Sequence, residues 1–513
     1  MTPTLNQTEK TLVLVSAIVA SSMAFIDGTA LNVALPALQR SLDLKGSQLL
    51  WIVNGYTLFL AALMLIAGSL GDVFGKKRIF MFGITCFTIC SIVCGFSPSG
   101  NFLIVARCLQ GIGGAFMVPG SLALITASFP QEERGKAIGT WSMFSAFTTI
   151  LGPVLGGYLA GEGLWRMIFF LNVPLGILSL LLLWFKVREP SPIKNIHPDW
   201  WGGLFSTLAL SGIAFGFIQA SEKGFGVWWI WLSIASGLIF FMIFLKIEKR
   251  INRPMLPLAL FDSSTFSGAN LMTLFVYGAL SLVLFFIPLN LIQIQGYPEK
   301  LAGLAILPFG GLIAILARTS GKWTDRIGAK TPLIIGPLIT GLSFLSMSWI
   351  GITDGFTDFW TTFFPALLLG GVGMGLTVVP LTTAVMNCVT DENAGIASGV
   401  NNTISRLANV LTLAIFGAFA LLYFQDDLAE SIPNLDLSAQ QTEYLLQNSD
   451  QLAETAAPDS WGAETQTQVR QRVQQSFINT FNLLCIITSL LCAAGAFISW
   501  RMISGRPKTV HLD

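Results

Sequence analysis

The chain has 513 residues, of which 53% are hydrophobic and only 11% are charged. Soluble proteins carry about 25% charged residues, so the composition excludes a water-facing globular fold and predicts an integral membrane protein. The net charge of +1 gives no argument for nucleic acid as a partner.

Apolar runs of about 20 residues, the length that crosses a bilayer, recur along almost the whole chain. The first run lacks a preceding basic region and is too long for a signal peptide, so we expect a retained span. The runs predict fourteen transmembrane helices, at about 11–35, 49–70, 79–97, 102–125, 137–160, 166–186, 201–220, 227–247, 266–292, 301–319, 332–352, 359–386, 394–424 and 477–502.

The positions of Lys and Arg predict the orientation. With the N-terminus in the cytoplasm, the inner segments hold 20 of the 29 basic residues and the outer segments hold seven. The remaining two, Arg107 and Arg406, fall inside spans. This bias predicts that both termini are cytoplasmic. The polar stretch 425–475, with nine acidic residues, then lies outside, where we expect a solvated loop.

The strongest local pattern is a glycine-rich, basic turn after the second span. It comprises Gly68, Gly71, Asp72, Gly75, Lys76, Lys77 and Arg78. A degenerate echo at 320–328 contains Asp325 and Arg326. Both patterns follow the second helix of a six-helix unit, which indicates an internal repeat of the kind found in transporters. We expect these residues to act in gating rather than in binding, because charge contacts there can hold one conformation and break in the other.

Further patterns follow along the chain. They are Asp27-Gly-Thr-Ala-Leu-Asn32-Val-Ala-Leu-Pro36, Arg107-Cys-Leu-Gln110-Gly111-Ile-Gly113-Gly114, Gly152-Pro153-Val-Leu-Gly156-Gly157, Trp165-Arg166 with Asn172-Val-Pro174-Leu-Gly176, and Asn402-Thr403-Ile-Ser-Arg406. In this order they resemble the motifs of the major facilitator superfamily, and specifically its fourteen-span drug:proton antiporter family. The resemblance covers essentially the whole chain. One departure is Thr148, where the antiporter motif usually has a glycine.

The resemblance implies an all-α membrane protein with the major facilitator fold. An N-terminal six-helix half would occupy 1–190, and two additional helices would occupy 200–250. A C-terminal six-helix half would then occupy 262–505 and include the outer segment 425–475.

Asp27 is the main candidate for proton coupling because it lies deep in the first apolar run. A carboxylate at the centre of a membrane helix costs about 2.5–3.5 kcal/mol, so such residues are usually functional. The alternative is a structural Asp bonded to nearby groups such as Thr29 and Asn32. For Arg107, the resemblance implies a role in proton transfer with Asp27, and a structural hydrogen-bond hub is the equally weighted alternative.

The glycines and proline of the antiporter motif, Gly152, Pro153, Gly156 and Gly157, predict a kinked helix with a smooth, closely packed face. That face would form a tight seam between the halves, although Gly and Pro are also generally enriched in membrane helices. Candidate residues of the substrate cavity are Asn32, Gln110 and Arg406, and for Arg406 structural pairing is favoured.

The predicted function is proton-coupled export of small organic compounds, amphipathic or cationic, by alternating access. A dedicated exporter of one metabolite or siderophore is the alternative, and uptake by proton symport is less favoured. A membrane enzyme or sensor lacks support because no catalytic cluster is apparent. No catalytic residue, metal site or cofactor is expected, since the proton gradient supplies the energy. The expected partners are substrate, protons and membrane lipids, with a periplasmic adaptor left open and a monomer otherwise, in the bacterial inner membrane.

Overall fold

A computed structural model describes residues 6–186, 199–251, 254–389, 394–435 and 437–504. Fourteen helical segments within these ranges are long and apolar enough to cross a membrane. This confirms the predicted number of spans, and the chain is a multi-pass membrane protein with two six-helix halves and two additional helices between them.

The N-terminal half contains seven helices because its sixth span is broken. Its elements are α1 (Gln7–Leu42), α2 (Gly46–Phe74), α3 (Lys76–Gly95), α4 (Gly100–Ser128), α5 (Gln131–Gly161), α6 (Met167–Phe170) and α7 (Asn172–Lys186). The additional pair is α8 (Trp200–Lys223) and α9 (Trp228–Glu248). The two helices of the pair pack on each other, and α8 also packs against one helix of each half, α2 and the thirteenth span.

The C-terminal half has the same number of spans but more interruptions. Its helices are α10 (Ser264–Leu289), a π-turn (Asn290–Ile294), α11 (Glu299–Ala305), α12 (Leu307–Ile327), α13 (Lys330–Met347), α14 (Phe363–Met386), α15 (Ala394–Ser431), α16 (Ala439–Asn448) and α17 (Ala463–Met502). Short 3-10 turns occur at Leu258–Asp262, Gly355–Trp360, Ile432–Asn434 and Ser449–Glu454. The tenth span is thus divided into α11 and α12.

Local sequence accounts for where several helices begin. The side chain of Asn6 accepts a hydrogen bond from the Glu9 amide at the start of α1, and the Glu9 carboxylate accepts one from Asn6 in return. Ser99 and Ser263 cap α4 and α10 by accepting from backbone amides three residues on. These caps satisfy amide groups that a helix start leaves without intrahelical partners.

The polar stretch 425–475 differs from the solvated loop that its composition predicted. The thirteenth span continues as helix to Ser431, α16 follows, and α17 already begins at Ala463. Ser438 and Gln441 form a capping box that starts α16. Leu445 and Leu452 are buried at 0% and 1% exposure. The segment is therefore largely folded and packs on the bundle, because scattered apolar residues at helical spacing give it a buried face.

The two halves meet at the end of the bundle that carries Arg40, Lys45 and this segment. We call it the external end, after the predicted orientation. There Gly46, at the start of α2, lies so close to Leu421, Leu452 and the Asp450 carbonyl that a Cβ would sit 3.0–3.1 Å from them. The external end is thus closed by direct contact between the halves.

Candidate functional site

Asp27 lies fully buried in the middle of α1, at 0% exposure. Its Oδ2 accepts a hydrogen bond from Arg107 Nη1 at 2.5 Å. Its Oδ1 accepts from Gln110 Nε2 at 3.1 Å and from Asn172 Nδ2 at 3.4 Å. Both oxygens of the carboxylate are therefore bound, so burial of the charge is compensated by one counter-charge and two amides.

Arg107 is held just as tightly from α4. Nη1 also donates to Gln110 Oε1 at 2.7 Å, and Nε donates to the Ile52 carbonyl at 3.3 Å. The guanidinium carbon lies 4.3 Å from the ring centroid of Tyr56, a distance at which cation–π attraction contributes. Arg107 and Gln110 point the same way because residues three apart share a helix face.

A second layer of polar groups orients these partners. Ser91 Oγ on α3 accepts hydrogen bonds from Gln110 Nε2 at 3.1 Å and from Asn172 Nδ2 at 2.8 Å. The centre thus joins α1, α3, α4 and α7. We call Asp27, Arg107, Gln110, Asn172 and Ser91 the buried polar centre.

Glycines of α4 bring the neighbouring helices close enough for this centre to form. At Gly111 a Cβ would collide with the Tyr56 carbonyl of α2, and at Gly113 with the backbone of Phe87 on α3. Both positions therefore require glycine on steric grounds.

The sequence patterns single out Asp27 and Arg107, and the structure brings them into one ion pair. Gln110, a candidate cavity residue, is instead 0% exposed within the same centre. Asn172 stood in a recognised motif without an assigned role. Ser91 and Tyr56 carried no sequence signal, because a single Ser or Tyr in an apolar run is common in membrane helices.

The chemistry of the buried polar centre follows from its burial away from water. Arg107 and Asp27 are 1% and 0% exposed, so their attraction is little screened by water. A proton that reaches Asp27 removes the negative charge that holds Arg107. Proton binding and the ion pair therefore exclude each other. The pair can thus favour one conformation when it is formed and another when Asp27 is protonated.

The antiporter motif forms a seam of very close helix contacts. A Cβ at Gly156 would collide with the Ala30 backbone of α1, and one at Gly152 with the Thr29 side chain. On the other face, Gly157 packs on Gly303 and the Glu299 carbonyl of α11, and Gly303 packs on the Pro153 carbonyl. The motif thus joins α5 to the first span and to the opposite half.

Thr148, the departure from the motif, is 8% exposed one turn before Gly152. Its hydroxyl donates to the Phe144 and Ser145 carbonyls of its own helix. The replacement of glycine is therefore satisfied locally.

The glycine-rich turn after α2 is tight. Gly75 has φ of 105°, a conformation that favours glycine, and α3 starts at Lys76, so the run Lys76, Lys77 and Arg78 forms its first turn. At Gly71 a Cβ would lie 3.9 Å from Lys76 Cα, and Gly68 has open space around it. The side chain of Asp72 lies outside the described residues.

The echo of this turn occupies the end of α12. Asp325 and Arg326 are exposed and form no ion pair with described residues. With Thr265, Thr324 and Asn387 they line a polar cavity of about 510 Å³. Gly328, with φ of 81°, ends the helix in a conformation that favours glycine. The gating role of both turns remains a prediction.

Ion pairs that no motif predicted close the external end. Arg40 binds Glu299, and Lys300 binds Glu162. Lys45 Nζ lies 2.7 Å from Asp450 Oδ2. Each pair joins one half to the other. Their only sequence signal is that charged residues flank span ends, which gives no indication of pairing.

Amides reinforce these pairs at the same end. Gln39 Nε2 donates to the Gln451 carbonyl at 2.8 Å, and Gln293 Nε2 donates to Gln39 Oε1 at 2.9 Å. Gln293 also donates to Glu454, whose pKa is raised by burial and lowered in part by Arg40. The folded segment 449–454 thus contacts the first helix directly.

The remaining cavity candidates lie inside their helices, Asn32 ten residues before the end of α1 and Arg406 twelve residues after the start of α15. Asn32 is half-buried, and its Oδ1 has no hydrogen-bond partner among the described residues. Arg406 is half-buried too, and the structural pairing expected for it is not seen in the described part of the chain.

Fourteen apolar helices among the described residues, with a buried ion pair and a closed external end, indicate a membrane transporter. The family model of the Major Facilitator Superfamily matches residues 17–413. The chain therefore belongs to the Major Facilitator Superfamily.

Relatives and solved structures agree with this assignment. The chain is 32% identical over 427 residues to the multidrug resistance protein Stp of Mycobacterium tuberculosis, covering 81% of this chain and 76% of Stp. It is 31% identical to the tetracenomycin C resistance and export protein of Streptomyces glaucescens, covering 79% and 74%.

The fold resembles the crystal structure of a bacterial homologue of the human lysosomal transporter Spinster, in an inward-facing, unoccupied conformation. The TM-score is 0.68 at 17% identity, covering 97% of this chain and 98% of the other.

Proposed function

We propose that this protein is a proton-coupled exporter of small amphipathic organic compounds. The buried Asp27–Arg107 pair carries the proposal, because a carboxylate at membrane depth is costly and is retained where it binds a proton or substrate. Relatives named for drug resistance and export support the direction of transport.

The mechanism follows from the competition between a proton and Arg107 for Asp27. With the external end closed, Asp27 is ionised and bound by Arg107. When the seam between α5 and α11 separates, the centre becomes accessible from outside and Asp27 takes up a proton. Release of Arg107 then changes which conformation is favoured. The free energy by which proton binding shifts this equilibrium equals the difference in the free energy of proton binding between the two conformations.

The seam of the antiporter motif supports antiport. Gly157 and Gly303 bring the halves into backbone contact at the external end. A closed seam there would keep protons from passing while the other end opens. We infer an inner-membrane location with both termini in the cytoplasm, which places the closed end on the outside. A monomer suffices for this mechanism.

The dedicated exporter of one metabolite remains the second candidate. It shares the fold and the buried polar centre and differs only in the cavity. One relative, the tetracenomycin C resistance and export protein, is named for a single compound, which is the observation that favours it. A susceptibility panel in an efflux-deficient host separates the two, because a broad exporter protects against several chemical classes.

Proton coupling is tested with Asp27→Asn in everted vesicles. Addition of a compound that the panel identifies should release protons from wild-type vesicles, and Asp27→Asn should abolish that release while the protein still reaches the membrane. Symport predicts the opposite proton movement.

Asp426→Asn is the matched control. Asp426 is an exposed carboxylate of α15 that forms no hydrogen bond or ion pair with the residues that the structure describes. It should transport like the wild type. Retained proton release in Asp27→Asn would refute the assignment of Asp27.

A further inference from the structure

Asp199 and Glu248 are two buried carboxylates that the proposed mechanism does not use. They are 6% and 2% exposed. Asp199 caps the start of α8, where its Oδ1 accepts a hydrogen bond from the Gly202 amide at 2.8 Å. Glu248 is the last residue of α9, and its Oε2 accepts one from the Leu256 amide at 3.0 Å. One oxygen of each carboxylate is therefore bound to a backbone amide.

The second oxygen of each carboxylate has no such partner. Asp199 Oδ2 and Glu248 Oε1 are both buried, and neither accepts a hydrogen bond from a described residue. The two atoms border the same space, because a Cβ at Gly202 would collide with Asp199 Oδ2 and lie 2.9 Å from Glu248 Oε1. The unpartnered oxygens therefore meet beside Gly202, where the lack of a side chain leaves room for both.

No base among the described residues compensates these two acids. The elements that pack on α8 near the site are α9, α2 and α15. Arg406 of α15 forms no ion pair with either acid, the side chain of Asp72 on α2 lies outside the described residues, and Asp262 beyond the linker is exposed. The basic residues at the end of α9 are also exposed, and within the described ranges none pairs with either carboxylate; they are Lys246, Lys249 and Arg250.

One proton resolves both problems of this arrangement. Two ionised carboxylates in one buried site repel each other, and low local polarity increases the repulsion. A proton on one of them removes a charge, and it also supplies a donor between two oxygens that otherwise only accept. The geometry therefore fits a carboxyl–carboxylate pair that shares one proton.

We propose that Asp199 and Glu248 form a second proton-binding site, separate from Asp27, in which one shared proton holds the start of α8 against the end of α9. The site lies opposite the external end, because the other end of α8 carries Glu222, which accepts a hydrogen bond from Ser47 at the start of α2. In the predicted orientation the pair exchanges its proton with cytoplasmic water.

The pair also contacts the linker that leads into the C-terminal half. Glu248 accepts from the amide of Leu256, and Leu256 lines an apolar cavity of about 480 Å³. The other walls of this cavity come from α2, α8, α9, α10, α15 and α17, so it lies between the two halves. When cytoplasmic pH rises and the pair loses its proton, the repulsion between Asp199 and Glu248 loosens that wall.

The shared proton is tested by infrared spectroscopy of the purified full chain from about pH 5 to about pH 9. A free Glu is ionised above about pH 4.3, so a carboxyl band that disappears only within this range reports a retained proton. The wild type should show such a band. Glu248→Gln should lack it at every pH, because its amide donates to Asp199 without a proton that titrates. The contribution of Asp27 cancels in the difference between the two spectra.

A second variant keeps the test sharp if Glu248→Gln is poorly folded. Asp199→Asn preserves the cap of α8, since Asn accepts from the same amide, and its side chain offers Glu248 a donor. It should also lack the band. Asp262→Asn, at an exposed carboxylate of the turn after the linker, is the matched control and should keep the band.

Hydrogen exchange of the peptides that contain Gly202 and Leu256 measures the effect on the helix ends. At about pH 6 the wild type and Glu248→Gln should exchange equally. At about pH 9 the wild type should exchange about tenfold faster in at least one of these peptides, as loss of a hydrogen bond to a charged group implies. Comparison of the two proteins at the same pH removes the intrinsic effect of pH on exchange.

Four outcomes would overturn the proposal. The wild type could lack a band that Glu248→Gln removes. A band that persists in Asp199→Asn would show a lone buried acid instead of a shared proton. Loss of the band on addition of Na⁺ or Mg²⁺ at constant pH would show a cation site. Equal exchange at about pH 9 would show that the proton does not hold the helix ends.

None of these measurements involves transport. Failure of proton coupling in Asp27→Asn vesicles therefore leaves them unaffected, and the loss of the infrared band in Glu248→Gln says nothing about Asp27. The two hypotheses fail separately.

Discussion

The buried polar centre and the external end use the same chemistry in opposite surroundings. Arg107 and Asp27 are 1% and 0% exposed, whereas Arg40 and Glu299 are 49% and 20% exposed, and Lys300 and Glu162 are both 44% exposed. Loss of one partner from a buried pair costs about 3–5 kcal/mol. An exposed pair contributes about 0–1 kcal/mol.

The difference indicates that the buried pair and the exposed pairs have different roles in the transport cycle. A strong buried pair within one half stays intact until a proton replaces one partner. Weak exposed pairs between the halves can break and form again in each transport cycle. Steric fit along the α5–α11 seam therefore contributes most to the closure of the external end, and the ion pairs contribute little.

The largest effect is expected from Arg107→Met. It leaves the Asp27 carboxylate buried without a counter-charge and should reduce the free energy of unfolding by about 3–5 kcal/mol. Asp27→Asn should cost clearly less, because Arg107 keeps its bonds to Gln110 Oε1 and the Ile52 carbonyl. Thermal unfolding of the purified variants measures both, and equal costs would contradict this asymmetry.

The next effect concerns the seam. Gly157→Val inserts a branched side chain where even a Cβ collides with the Glu299 carbonyl, and overpacking of this kind costs about 1–3 kcal/mol. The halves should separate at the external end. A Gln293→Cys background should then react faster with a membrane-impermeant maleimide.

Gly139→Val on the same helix is the control for the seam, because nothing lies within 4 Å of a Cβ there. It should leave the rate of labelling unchanged. A similar increase in both variants would show that α5 tolerates no bulk anywhere, which would remove the special role of the seam.

A smaller effect is expected from Glu299→Gln. It removes one of two carboxylates near Arg40 and leaves Glu454, whose Oε1 lies 4.0 Å from Arg40 Nε. The change in the closing free energy should be at most about 1 kcal/mol, and salt at about 1 M should abolish it by screening. A double-mutant cycle with Arg40→Gln, read by the same labelling assay, measures the coupling. A salt-independent loss of several kcal/mol would show that the external pairs resemble the buried one.

The smallest effect concerns pH at the Lys45–Asp450 contact. The hydrogen bond to Asp450 raises the pKa of Lys45, and partial burial opposes this. Because the pKa is higher in the folded state, the stabilisation is complete below the unfolded value of about 10.4 and is lost only as pH rises through the raised value. Asp450→Asn should thus change labelling by the same small factor throughout the neutral range, and a drift there would exclude Lys45 as the partner.

The sequence by itself determined the membrane class, the number of spans and the family, because these depend on local runs of apolar residues and on short motifs. It also identified Asp27 and Arg107, since a charge within an apolar run is visible without any knowledge of the fold. The close packing of Gly156 and Gly157 followed from their lack of a side chain.

Only the tertiary structure decided which groups meet. Asp27 and Arg107 are 80 positions apart, and their pairing depends on how α1 and α4 pack. The same holds for the ion pairs of the external end. The folded segment after the thirteenth span escaped prediction because its polar composition outweighed the few apolar residues that pack it. Local composition shows that burying a charged residue in the membrane has a free-energy cost. Only the packing of the helices shows which groups compensate that cost.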